Sequence, residues 1–120
     1  VLVVDDLPDA RFILKKRLER ERVFDVVGEA ANGQEAIDLC EQLAPDIVIM
    51  DFRMPVMDGL EATRRLRADP EFRTLPIIAL TALAMPGDRE RCLAAGATDY
   101  VTKPISLKKL SALIEEYLLR

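Results

Sequence analysis

Two adjacent carboxylates, Asp5 and Asp6, follow directly on an apolar run in VLVVDD. A third, Asp51, ends the apolar run in DIVIMD, Thr81 ends PIIALT, and Lys103 follows DYVT. Three carboxylates, a hydroxyl and an amine therefore stand at the ends of apolar runs. Like charges side by side cost free energy unless something positive sits between them. Lys103 can supply one such charge. A hard divalent cation, which prefers oxygen ligands, can supply more. Each residue also has a plain reading when taken alone. Asp5 or Asp6 could cap a following helix, Asp51 could be a turn acid, Thr81 a cap and Lys103 a solvated surface lysine. The joint placement, not any single residue, argues for chemistry.

The rest of the composition narrows that chemistry. The chain has 120 residues, half of them apolar, which suits one globular domain. It contains no histidine. Ser-His triads, Cys-His dyads and His-ligated zinc are thereby excluded. The formal net charge of -4 and the lack of a basic stripe argue against nucleic-acid binding. No apolar run approaches the roughly 20 residues of a membrane span, and no signal peptide is present. Cys40 and Cys92 have no CxxC spacing and read as buried apolar residues in a reducing, cytoplasmic compartment.

The elements that must position these groups follow from periodicity. Apolar runs recur every 20 to 30 residues between helix-period segments, the cadence of βα units. Strands are expected at 1–4, 24–30, 46–50, 76–81 and 98–102. The third and fourth lack alternation, as strands buried on both faces do. A first helix is expected over about 8–21, with Pro8 in its first turn. Asn32 and Asp58 precede helical patterns, with Glu35 and Glu61 three residues on. Gly96 suits a left-handed C-cap. Ser106 precedes a helix with Leu110, Ile114 and Tyr117 on one face. The stretch 68–76 reads as a polar surface loop. Strict alternation implies an α/β fold, an open doubly wound parallel sheet of five strands and five helices. In such sheets ligands bind beyond the carboxyl ends of the strands, where the charged groups lie.

The stretches VLVVDD, IVIMDFRMPVMDG, IIALTA and DYVTKP, in order and over the whole chain, resemble response regulator receiver domains. The resemblance implies the flavodoxin-like (βα)5 sheet order 2-1-3-4-5 and a single receiver domain over 1–120, trimmed at its N-terminus. It implies that Asp51 accepts a phosphoryl group from a histidine kinase or a histidine phosphotransfer protein. Asp6 would bind Mg²⁺ directly, Asp5 mostly through water, and the backbone carbonyl of Arg53 would be a further ligand, with Mn²⁺ an alternative ion. Thr81, the backbone of Ala82 and Lys103 would contact the phosphoryl oxygens, and the Lys103–Pro104 peptide would be cis. Thr81 and Tyr100 would form a switch that remodels the face of helix 4, strand 5 and helix 5 to control an output. The phrases MPVMDGLEATRRLR and TALAMPGDRERCLAAGATDYVTKPI look most like receivers of hybrid histidine kinases or phosphorelays. Monomer and phosphorylation-linked dimer both remain open, as do the kinase, the stimulus and the output.

The residue types suit this chemistry independently of the family. A carboxylate nucleophile gives a labile acyl phosphate. Phosphoryl transfer asks for positioning and charge neutralisation more than for acid-base groups, so a chain without histidine loses nothing. Phe52 is larger than the aliphatic residue expected beside Asp51 and could alter access. Arg53 and Leu83 flank the site, and an apolar Leu83 cannot orient an attacking water, which favours a slow loss of the phosphoryl group. Three rival readings are weaker. A haloacid dehalogenase phosphatase needs an acid two residues after its nucleophile, where this chain has Arg53. A flavodoxin needs a hydroxyl- and glycine-rich loop after the first strand, where DDLPD would repel phosphate. An interaction module that is never phosphorylated would be favoured by a missing Asp51 or Lys103, and both are present.

Overall fold

The computed structural model describes residues 1–20, 25–52, 57–81, 86–103 and 106–118. Five parallel strands form one sheet in the order β2-β1-β3-β4-β5. They are β1 (Leu2–Val4), β2 (Gly28–Ala30), β3 (Val48–Asp51), β4 (Ile77–Thr81) and β5 (Asp99–Thr102). Five helices alternate with them: α1 (Pro8–Arg20), α2 (Gly33–Leu43), α3 (Gly59–Ala68), α4 (Asp88–Ala95) and α5 (Leu107–Leu118). This is a doubly wound sheet, in the order that the resemblance to receiver domains implied.

The core has two halves, one on each face of the sheet. On one face Val1, Val3, Ile47, Ile49, Ile78 and Leu80 pack against Leu14 and Leu18 of α1 and Leu110 and Ile114 of α5. On the other, Leu2, Val4, Val48, Met50, Ile77 and Ala79 meet Ala36 and Cys40 of α2, Ala62 and Leu66 of α3 and Cys92 of α4. Successive strand residues point to opposite faces. Central strands apolar at both parities therefore need helices on both sides, and β1, β3 and β4 are buried throughout. A fully buried Leu or Ile contributes about 1.5–3 kcal/mol.

The helix ends follow their local sequence. Asn32 and Asp58 accept the N–H of Glu35 and Glu61, each at 2.9 Å, which satisfies donors that a helix N-terminus leaves open. Glu35 returns its carboxylate to the N–H of Ala31 at 3.0 Å. Gly96 ends α4 at φ 114, a backbone region that a side chain disfavours. Cys40 and Cys92 are buried free thiols, as expected.

Three expectations need correction. Strand β2 is only Gly28–Ala30, because pairing in register runs only where Leu2–Val4 of β1 lies alongside; Asp25–Val27 carry no strand, and Phe24 lies outside the described residues. Strand β3 reaches one residue further than expected, so Asp51 is its last paired residue, opposite Leu80. The stretch 68–76 is not a plain polar loop. It holds a 3₁₀ turn at Pro70–Phe72, and Phe72 and Leu75 are buried in the core.

Candidate functional site

The strand ends bring the charged residues together. Asp5 follows β1, and its N–H donates to Ala30 O at 3.0 Å, so β2 fixes where it leaves the sheet. Asp51 closes β3, and the next N–H, of Phe52, donates to Leu80 O at 3.0 Å. Asp5, Asp6 and Asp51 each place a carboxylate oxygen within 4.8 Å of the other two. Asp5 and Asp51 are buried and Asp6 is half-buried.

Lys103 reaches into this cluster from the end of β5. Its Nζ lies 3.0 Å from Asp51 Oδ2 and 3.4 Å from Asp5 Oδ2. Burial works to lower its pKa, but the hydrogen bond to Asp51 and the charges of Asp51 and Asp5 outweigh that, and the pKa lies above the ordinary lysine value. Its backbone N–H donates to Thr81 O at 2.7 Å, which ties the ends of β4 and β5. Thr81 is buried and continues the parity of Ile77 and Ala79, on the sheet face opposite Asp51.

The donors in this cluster are all oxygens. Three carboxylates face one ammonium among the described residues, which leaves a net charge of about -2 when all are ionised. That set and that charge fit a hard divalent cation, not a soft transition metal.

Asp5 also has the plain role that its position suggested. Its Oδ1 accepts the N–H of Leu7 at 3.0 Å and shapes the turn into α1. Phe52 does not stand over Asp51. Its ring is buried in the half-core opposite, against Gly59 at the start of α3, and Gly59 N–H donates to Phe52 O at 3.3 Å. A Cβ on Gly59 would lie 2.8 Å from Asp51 O and 2.7 Å from Phe52 Cα, so α3 can pack this close only through glycine. Tyr100 is half-buried and packs against the half-core of α2, α3 and α4, the face that Thr81 takes by strand parity, with its phenol pKa raised by burial and by Asp88. Arg53, Ala82, Leu83 and Pro104 lie outside the described residues.

The sequence gives little hint of Arg11. A lone arginine in the first turns of a helix opposes the helix dipole and reads as solvated. In the fold its Nη1 donates to Asp5 O at 2.7 Å and its Nε to Glu29 Oε1 at 3.3 Å. The available signal was its position, one helical turn past Leu7, where a side chain can fold back over the end of β1.

Known proteins agree with this geometry. The response regulator receiver domain family matches residues 1–115. The chain is 44% identical over 119 residues to a 14.6 kDa protein from the sodA1 3' region of Leptolyngbya boryana, covering 99% of this chain and 89% of that one. It is 45% identical over 87 residues to the polar-differentiation response regulator DivK of Brucella anthropi, covering 72% and 71% of the two chains. Among solved structures, a response regulator from Chloroflexus aurantiacus superposes with a TM-score of 0.91 at 34% identity, covering 99% of this chain and 96% of that one. The signal receiver domain of a histidine kinase from Syntrophus aciditrophicus gives 0.88 at 37%, covering 98% and 88%. No described helix is long and apolar enough to cross a membrane. With its acidic cluster at the carboxyl edge of a 2-1-3-4-5 sheet, the chain belongs to the response regulator receiver domains, signalling phosphoacceptors of two-component signal transduction rather than catalytic enzymes.

Proposed function

We propose that Asp51 is the phosphoacceptor of this receiver and that Asp5, Asp6, Asp51 and the backbone carbonyl of Arg53 hold Mg²⁺. The observation that carries this reading is the Lys103 ammonium shared between Asp51 and Asp5 in an otherwise acidic pocket. A bound Mg²⁺ would offset the repulsion between the carboxylates and an incoming phosphoryl group. In the transfer, an Asp51 carboxylate oxygen attacks phosphorus, an O–P bond forms, and the bond from phosphorus to the donor's imidazole nitrogen breaks. The imidazole leaves with its electron pair and takes a proton from solvent. Lys103 would follow the charge onto the phosphoryl oxygens, and Thr81 and the Ala82 N–H would donate to them. The family implies a histidine kinase as the class of donor; a histidine phosphotransfer protein would serve by the same chemistry.

The added negative charge would draw Thr81 toward the phosphoryl group and Tyr100 inward, and so change the face of α4, β5 and α5. The bond from Lys103 N–H to Thr81 O supports coupling between the two strand ends.

Intact mass after incubation with acetyl phosphate, with and without Mg²⁺, tests the acceptor. One Mg²⁺-dependent phosphoryl adduct, lost in Asp51→Asn, is expected. No adduct from acetyl phosphate or from a phosphohistidine-bearing phosphotransfer domain would overturn it.

A further inference from the structure

All four polar handles of Asp5 are engaged. Its N–H goes to Ala30 O, Oδ1 takes the Leu7 N–H, Oδ2 takes Lys103, and the carbonyl takes Arg11 Nη1 at 2.7 Å. The shortest of these bonds comes from a side chain outside the acidic cluster. Arg11 is itself anchored on β2, where Glu29 Oε1 accepts its Nε at 3.3 Å. The other oxygen of Glu29 meets Lys15 at 3.2 Å. Only about a fifth of the Arg11 side chain is exposed, so this is no freely solvated pair.

The carbonyl that Arg11 holds belongs to the peptide joining Asp5 to Asp6. A peptide unit is planar, so fixing its C=O also fixes the direction of the Asp6 N–H and Cα. We propose that Arg11 is a positioning residue for the acidic pocket: it fixes the plane of the Asp5–Asp6 peptide and thereby aims the Asp6 carboxylate at Asp5 and Asp51, with Glu29 holding the guanidinium in place. This rests on reading the pocket as a Mg²⁺ site.

The sign of the effect separates positioning from simple charge. Arg11 is a cation near a cation site. Its loss should, by Coulomb interaction alone, tighten Mg²⁺ binding by about a few-fold, screened as this group is by solvent. Loss of a group that orients a metal ligand acts the other way and typically weakens binding about 10- to 100-fold. A planar fork that donates to a carbonyl and a carboxylate at once is also poorly copied by an ammonium.

The test is calorimetric titration of the whole chain with Mg²⁺, with melting of the metal-free forms alongside. Arg11→Gln should weaken binding about 10-fold, and Arg11→Lys should recover part of it. Glu29→Gln, at the edge strand, should weaken binding in the same direction by less. The double variant should bind no worse than Arg11→Gln alone. Equal or tighter Mg²⁺ binding by Arg11→Gln, whatever its melting temperature, would overturn the proposal. If Arg11→Gln does not fold, unchanged affinity in Glu29→Gln overturns it. Absence of Mg²⁺ binding by the unaltered chain is a separate result, which removes the metal-site reading and this inference with it.

Discussion

Lys103 and Asp51 meet at 3.0 Å across 52 residues of sequence, at the ends of strands that are not neighbours in the sheet. Strand β4 lies between them, so the lysine must reach over it to the acid. Of the two carboxylates that it bridges, Asp51 is the nearer.

Replacing Lys103 with Met should therefore destabilise the fold by about 2 kcal/mol, less than a fully buried pair costs because the ammonium is partly exposed. The carboxylates that lose the ammonium should make the variant more responsive to Mg²⁺. Chemical denaturation with and without millimolar Mg²⁺ checks both.

The same bridge predicts an alkaline limb. Lys103 has a folded pKa raised above 10.5. Its contribution is complete below the unfolded value and is lost as pH rises through the folded one. Cys40, a buried thiol pushed up to about 11, adds a fall in stability that begins earlier, near 9.0. Stability measured from pH 8 upward should fall, and the part of the fall above about 10.5 should shrink in Lys103→Met while the earlier part remains.

Asp6→Asn should raise the melting temperature of the metal-free protein by about 3 °C, as expected for roughly 1 kcal/mol of relieved repulsion. It should also shrink the stabilisation by Mg²⁺. In the unaltered chain, Mg²⁺ at 100 times its dissociation constant should add about 2.7 kcal/mol. Thermal melts across a Mg²⁺ series read both effects, and melting insensitive to Mg²⁺ would contradict the pocket.

Gly59→Ala should cost about 1–3 kcal/mol by overpacking against Phe52 and Asp51 O. Phe52→Leu in the same chain should restore part of it, since the smaller side chain leaves room for the new methyl. A double-mutant cycle in urea measures the coupling, and simple additivity would count against the contact.

Arg67→Ala should lose about 2–4 kcal/mol. Its guanidinium donates to Gly96 O at 2.8 Å, Phe72 O at 2.6 Å and Thr98 Oγ1 at 3.2 Å, and so ties the α3–β4 connection to the α4–β5 connection. Arg67→Lys should recover little, because one ammonium cannot span all three acceptors. Urea unfolding of both variants distinguishes them.

The five-stranded doubly wound sheet and the pocket were legible because each depends on local pattern, whereas the strand order came from the family resemblance. Buried parallel strands are apolar at both parities, and charged residues at their ends then fall on one edge. Asp58 and Asn32 announced their helices by spacing alone. The stretch 68–76 was misread because Phe72 and Leu75 are buried by tertiary contacts with the half-core of α2, α3 and α4, which a short polar stretch does not announce. Arg11 was passed over for the same reason. Its partners, Asp5 O and Glu29, are a backbone atom and a residue on another strand, and neither leaves a trace in spacing. Phe52 was judged by size alone, whereas strand parity put its ring on the side away from Asp51.

The sheet also divides the interior into two compartments with a single layer of backbone between them. Asp5, Asp51 and Lys103 share the parity of the α1 and α5 side, whereas Thr81 and Tyr100 belong with α2, α3 and α4. Substitutions deep in one compartment should add independently to those deep in the other, since the described core side chains fall into two separate clusters. Each half could then be repacked while its counterpart is left as it is. The exceptions are residues at the strand ends, such as Thr81 and Lys103, where the Lys103 N–H donates to the Thr81 carbonyl and so links residues whose side chains lie in different compartments.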